Sequence, residues 1–274
     1  MFSGLLSIPQ AVLLGIVEGI TEFLPVSSTG HLLVVGELIG FGTGSSSTAA
    51  DTYSIAIQFG AILAVLLLYR SRVWSAMKGL VGADADGRAF LIRLIVAFLP
   101  AAFLGVLAGD AMKSALFGPV PVTIAWVVGG VFLLRWKPTV GSVSLHEMPI
   151  RAALIIGCAQ SIALWPGVSR SLVTLVAALA VGLSMSSAIE FSFLLGLITL
   201  SSATALDLTK HGSELVDQFG ILAPAIGLVC AFITAVMAVK WMVGYLESHS
   251  LRVFGWYRLA IGAVSVVLLA TNVL

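Results

Sequence analysis

Residues 17–31, VEGITEFLPVSSTGH, put two carboxylates, a proline, three successive hydroxyls and a histidine into an otherwise apolar stretch. Glu18 and Glu22 are four apart, so in a helix they share one face. An ionised residue at the centre of a spanning helix costs about 2.5–3.5 kcal/mol. Two neighbouring carboxylates also repel, so the pair needs a shared proton or a cation between its members. Its chemistry is therefore acid–base work or a divalent ion held by oxygen ligands, Glu18 and Glu22 being the candidate metal ligands. A protonated pair bonded to another helix is the plainer alternative. Ser27, Ser28 and Thr29 follow the helix-breaking Pro25 and precede an apolar run. One hydroxyl suffices for an N-cap, and three are present. His31, one turn on, is either a hydrogen-bonded structural imidazole or an acid–base group.

A second polar run, PGVSRSLVT at 166–174, carries Ser169, Arg170, Ser171 and Thr174. A guanidinium cannot shed its proton, so Arg170 in an apolar setting needs an anion. Glu18 or Glu22 could serve as a structural partner. The more economical reading is an anion site: a bidentate arginine together with backbone N–H groups at two helix N-termini. Carboxylates would repel a phosphate there unless a divalent ion or a proton intervened. Anion donors, carboxylates and hydroxyls together point to phosphoryl chemistry.

These groups sit in a chain of 274 residues that is 59% hydrophobic and 10% charged, with a mean hydropathy of +1.10. Soluble domains are about 45–50% apolar and about 25% charged. The composition predicts a single integral membrane domain of many helices. A bilayer core asks for roughly 20 apolar residues per span; candidates are 52–69, 90–108, 119–135, 187–206, 219–241 and 253–273. Residues 9–24 and 30–41, broken at Pro25, and 151–165 and 171–183, broken at PGVSRS, are too short to cross. Each pair predicts a re-entrant hairpin of half-helices. The segments SRVWSAMKGLVGADADGR, GDAMKSALFGP, RWKPTVGSVSLHEMPIR, DLTKHGSELVDQ and ESHSLR read as links between spans.

The two halves echo one another. GIVEGITEFLPVSST is answered by GCAQSIALWPGVSRS, AIQFG at 56–60 by AIEFS at 188–192, and LPAAFLG at 99–105 by LAPAIGL at 222–228. If both hairpins return to the side they enter from, Arg70, Arg72, Lys78, Arg88, Arg93, Arg135, Lys137, Arg151, Lys240 and Arg252 fall on one face. Lys113 and Lys210 fall on the other, Arg170 at a hairpin tip and Arg258 inside the last span. The basic face is then cytoplasmic. The first hairpin enters from outside and the second from inside. The expected fold is an all-α polytopic membrane protein with an inverted-topology repeat. Each half has one re-entrant helical hairpin plus three transmembrane helices: 1–136 with hairpin 9–41, and 137–274 with hairpin 151–183. The binding site is expected at the midplane where the halves meet.

Other residues carry less. Gln58, Gln160 and Glu190 read equally as hydrogen-bond partners of the site or as repeat-related packing. Trp74, Trp136, Trp241 and Trp256 near span ends read as interfacial anchors. GTGSSSTAAD at 42–51 is an outer loop and lacks the lysine and preceding strand of a phosphate loop. Cys158 and Cys230 read as packed thiols. The net charge of +1, with no basic stripe, argues against nucleic acid as a partner. The N-terminus shows no basic region with a small-residue cleavage site, so insertion is expected through the chain's own spans. Small-residue faces in GAILAVLLL and GVLAGDAMKSALFG suit a homodimer.

EGITEFLPVSSTGH and PGVSRSLVT resemble the two signature regions of the bacterial undecaprenyl pyrophosphate phosphatase family, known also as bacitracin-resistance proteins. The resemblance runs on through EFSFLLG at 190–196 and ATALDL at 203–208. It implies hydrolysis of the terminal phosphate of a C55 isoprenoid diphosphate carrier, recycled for peptidoglycan. It also implies a divalent cation, Mg or Ca, and a multi-pass place in the bacterial inner (plasma) membrane with an extracytoplasmic active site. On this resemblance Glu18 and Glu22 serve the metal or proton transfers, and Ser28 is the candidate nucleophile beside Ser27 and Thr29. His31 is nucleophile or acid–base helper, and Arg170 with Ser169, Ser171 and Thr174 clamps the diphosphate. The residues alone leave Ser28, His31 and water open as nucleophile. An inverted repeat with a midplane site equally suits an alternating-access transporter or flippase of a polyprenyl phosphate or small anion. Transport, however, does not require a hydroxyl–histidine row beside paired carboxylates.

Overall fold

The computed structural model describes residues 6–41, 47–137 and 141–274. The first hairpin is α1 (Ile8–Thr21) and α2 (Ser28–Leu38); then come α3 (Ser47–Leu68), α4 (Arg70–Leu80), α5 (Ala85–Leu116) and α6 (Pro119–Arg135). The second hairpin is α7 (Ile150–Gln160), a 3₁₀ turn over Ser161–Leu164, and α8 (Arg170–Ala180), followed by α9 (Met185–Phe219), α10 (Leu222–Leu246) and α11 (Arg252–Ala270). Five helices among the described residues, α3, α5, α9, α10 and α11, are long and apolar enough to cross a membrane. The sixth expected span, α6, has the expected bounds but only 17 residues, about 25 Å at the α-helical rise. The chain is a multi-pass membrane protein.

Both hairpins form where the sequence breaks. Ser7 and Gln10 close a capping box at the start of α1, and the helix gives way to a turn over 22–26 that contains Pro25. Pro25 and Pro166 have no amide hydrogen to continue an i→i−4 ladder. At 14, 11, 11 and 11 residues, the four half-helices each fall short of a bilayer core.

Three links are corrected. SRVWSAMKGL is helix α4, GDAMKSAL continues α5, and DLTKHGSELVDQ lies inside the 35-residue α9. These segments have ordinary helix formers, and polarity alone does not end a helix once it leaves the hydrocarbon. Of the expected outer loop, 47–51 belongs to α3 and 42–46 lies outside the described residues, as do 138–140 of the inter-half link. Cys158 is exposed rather than packed, and Cys230 is half-buried; both are free.

The helices pair across the two halves. α1 lies along α10 and α7 along α5, while α3 meets α9 and α6 meets α11. Gly15 and Gly19 of α1 bring it against Gly227, Ala231 and Thr234 of α10, and Gly157 of α7 brings it against Ala97 of α5. Gly227 and Ala97 therefore occupy corresponding places. Pro100, deep inside α5, and Pro224, in the first turn of α10, do not correspond, so the echo of LPAAFLG in LAPAIGL is out of register with the packing. A Cβ at Gly19 would collide with the Thr234 hydroxyl and the Ala231 carbonyl. Gly19→Val should lower the thermal midpoint of the detergent-purified protein, by about 1–3 kcal/mol of overpacking, while Gly244→Val, in open space, leaves it unchanged.

Candidate active site

Two serines fix the hairpin tips. Ser27 caps α2 at φ 72°, ψ 99°, and Ser169 caps α8 at φ 76°, ψ 112°. Their hydroxyls accept from the amides of Gly30 (3.4 Å) and Leu172 (3.3 Å). Such backbone costs about 1–3 kcal/mol in a residue with a Cβ and persists only where its surroundings impose it. Here the surroundings are specific. The fully buried Arg258 of α11 donates to the carbonyls of Pro25 (3.3 Å), Gly167 (2.8 Å) and Ala125 (2.8 Å), joining both tips to α6. Trp126 donates to Val26 O (2.9 Å), and the Ser171 hydroxyl donates across the hairpins to Leu24 O (2.8 Å).

With the tips joined, the signature side chains converge. Glu22 Oε1 accepts from Arg170 Nη2 at 3.1 Å, and Glu22 Oε2 accepts from the Ser28 hydroxyl. The ion pair is buried, with side-chain exposures of 10% and 5%, so each charge depends on the other for compensation. Arg170 Nη1 also donates to Ser192 O (3.1 Å), and its guanidinium lies over the Phe23 ring at 5.4 Å. Glu22, Ser27, Ser28, Thr29, Ser169 and Arg170 line one cavity of about 160 Å³, together with Gln58 and Gln160.

The remaining expected residues lie behind this cavity. Glu18 is fully buried, and neither of its carboxylate oxygens has a hydrogen-bond partner. Ser171 is committed to Leu24, and Thr174 bonds Arg170 O (2.9 Å) and Ser192 Oγ (2.6 Å). His31 is held at both nitrogens: Nδ1 by Ser27 O (2.6 Å) and Nε2 by the Tyr257 hydroxyl (2.8 Å). A carbonyl can only accept, so Nδ1 carries the proton and Tyr257 donates to Nε2. Glu190 is not in the site; it pairs with Arg72 at 2.7 Å. Gln58 lines the cavity and Glu190 does not, so AIQFG and AIEFS have different roles.

Among the described residues no group of three His, Cys, Asp or Glu side chains could hold a metal ion. Glu22 has both oxygens engaged, and Glu18 lies beside it with its oxygens meeting no other donor. Two adjacent carboxylates suit a shared proton, or an ion between them that takes its other ligands from phosphate and water.

Arg258, Tyr257 and Trp126 escaped the sequence reading. Arg258 alone left a signal there, a charge inside an apolar span with no assigned partner.

The sequence profile of bacitracin resistance protein BacA matches residues 11–264. The chain belongs to the BacA family. Within it, an undecaprenyl-diphosphatase of Sorangium cellulosum is 44% identical over 262 residues, covering 93% of this chain and 84% of that protein. One of Nitrosomonas europaea is 42% identical over 259 residues, covering 93% and 92%. One of Rhodopseudomonas palustris is 42% identical over 266 residues, covering 95% and 97%. The BacA match runs from within α1 to residue 264 of α11, so it takes in Arg258 as well as the two signature runs.

Removing Arg258 would take this donor from the buried carbonyls of Pro25 and Gly167, at roughly 1–3 kcal/mol each, while Ala125 O keeps its helical amide. Arg258→Met should lower the thermal midpoint by several degrees, whereas Arg252→Met at the exposed start of the same helix leaves it in place; differential scanning in detergent reads both.

Proposed function

We propose that the chain is an undecaprenyl-diphosphatase, hydrolysing the terminal phosphate of the isoprenoid diphosphate carrier in the bacterial plasma membrane. The observation that carries this is the chain of contacts Ser28–Glu22–Arg170 in one buried cavity. A hydroxyl bonded to a carboxylate that is oriented by a third group has the arrangement of an activated nucleophile. Ser28 Oγ attacks the terminal phosphorus as Glu22 accepts its proton. The bond from that phosphorus to the bridging oxygen breaks, and the lipid monophosphate leaves. Glu22 passes the Ser28 proton to the departing lipid monophosphate; water then hydrolyses the phosphoserine, with Glu22 taking the water proton and handing it to the released Ser28 oxygen.

Arg170 and the amides at the starts of α2 and α8 stabilise charge on the transferring phosphoryl group, usually the largest catalytic contribution. A divalent cation arriving with the diphosphate would be held by the Glu18–Glu22 pair, of which Glu22 lines the cavity, and would neutralise part of that charge. His31 keeps the Ser27 carbonyl, and so the strained tip, in place. Ser171 and Thr174 hold the two tips and α9 together rather than grip phosphate.

The site is read as extracytoplasmic. A second cavity of about 480 Å³ between α2, α3 and the α5–α6 junction shares Thr29 and Gln58 with the first, and the distribution of basic residues puts that end outside. The reciprocal pairing of α1 with α10 and α7 with α5, and the matched serines at the tips, favour an inverted repeat. For a homodimer, the face at 60–68 has its glycine buried against α10. Residues 105–118 keep an outward face, with Val106 81% and Leu107 67% exposed, and would receive the second copy. A transporter needs none of the Ser28–Glu22–Arg170 contacts.

With undecaprenyl diphosphate in detergent, Ser28→Ala and Arg170→Ala should each reduce phosphate release by roughly 100-fold or more, the scale of losing base-assisted attack or charge stabilisation. Wild-type turnover in Arg170→Ala would remove the phosphoryl clamp and with it this function.

A further inference from the structure

Gln160 ends α7, is only 2% exposed and lines the central cavity. Its Oε1 lies 3.4 Å from the Thr199 hydroxyl, which shares its proton with Leu195 O at 2.9 Å, while its Nε2 is buried with no partner. A buried donor left without an acceptor costs about 1–3 kcal/mol. The same cavity holds a second orphan of the same kind: Arg170 Nε is also buried and unpartnered, although both Nη atoms are engaged. Both orphan donors belong to residues that line one polar cavity, and a ligand rich in acceptor oxygens reaching into it would satisfy them together.

The repeat supplies an independent reason. Gln160 follows Glu18 by 142 residues, the spacing that also separates Ser27 from Ser169 and Ser28 from Arg170. The last pair is revealing, because Ser28 and Arg170 hold the two oxygens of one carboxylate, Glu22. Corresponding positions thus meet at one centre with different chemistry. At the Glu18–Gln160 position one half places a carboxylate with free oxygens, suited to a proton or a cation. The other places a neutral amide, which can donate to an anion without adding a charge that competes for Glu22.

We propose that Gln160 binds a non-bridging phosphoryl oxygen of the substrate through Nε2–H, with Thr199 orienting the amide. This rests on the diphosphate reading given above. Because the phosphate is present before and during the reaction, the contact contributes to binding more than to the chemical step.

The test compares Gln160→Met, Gln160→Glu and Thr199→Val in the full-length, detergent-purified protein. It measures turnover of undecaprenyl diphosphate, inhibition by inorganic pyrophosphate, and thermal midpoints. Gln160→Met should raise both KM and the pyrophosphate inhibition constant about tenfold, the value of one hydrogen bond to a charged group, with kcat within about threefold. Gln160→Glu should be worse than Gln160→Met in both constants, since a carboxylate repels phosphate. Thr199→Val should shift both constants the same way by a smaller factor, and it serves where a Gln160 variant does not fold. Unchanged constants in the folded variants overturn the assignment. So does a Gln160→Glu protein that binds as well as the wild type, which would make the amide a carbonyl ligand instead of a donor. Arg170→Ala, run in parallel, separates the two readings. If it is inactive while the Gln160 variants are normal, only the Gln160 assignment falls; if it is fully active, the diphosphate reading itself falls.

Discussion

The whole site depends on one carboxylate shared between two hairpins. Glu22 comes from the first, Arg170 from the second, and Ser28 closes the remaining oxygen. In a membrane interior neither charge is tolerable alone, so burial makes each the condition for the other. That mutual need draws the two tips to one place. It also leaves the Ser28 hydroxyl against a base at the edge of a cavity. The ion pair and the proposed nucleophile–base contact thus share one carboxylate.

Holding that carboxylate in position requires backbone that would not adopt its shape unaided. Ser27 and Ser169 stand at positive φ, each capping the half-helix that follows it. The restraint comes from elsewhere in the chain: Arg258 and Tyr257 of α11, and Trp126 of α6. Arg258 is unusual in meeting only carbonyls. Its charge is spread over three peptide dipoles, which keeps the guanidinium from competing with Arg170 for Glu22. The last helix therefore contributes no group to the cavity but determines where the tips lie.

Much of the architecture was legible beforehand for a simple reason. In hydrocarbon every backbone polar group must be satisfied within a helix, so length and apolarity nearly dictate the elements. The half-helices at 8–21, 28–38, 150–160 and 170–180 follow from proline placement within short apolar runs. Helix α4 and the far ends of α5 and α9 were missed because they extend past the hydrocarbon, where polarity no longer marks a break. Of the three internal echoes, the hairpin run brings Ser27 and Ser169 to the same local role, each capping a half-helix at positive φ. AIQFG and AIEFS share letters but not surroundings, because Gln58 reaches the cavity and Glu190 pairs with Arg72.

The sequence by itself determined which groups had to be reckoned with: two carboxylates, a row of hydroxyls and an arginine, each too costly in lipid to be present without a purpose. Membership of the BacA family follows from the same residues read along the chain. Only the tertiary structure decided how the work is divided. It put Glu22 rather than Glu18 on Arg170, and it bonded His31 to Ser27 O, Ser171 to Leu24 O and Thr174 to Ser192. It also showed Gln160 with an unspent donor. Those assignments depend on distances between residues more than a hundred positions apart, which local spacing does not encode.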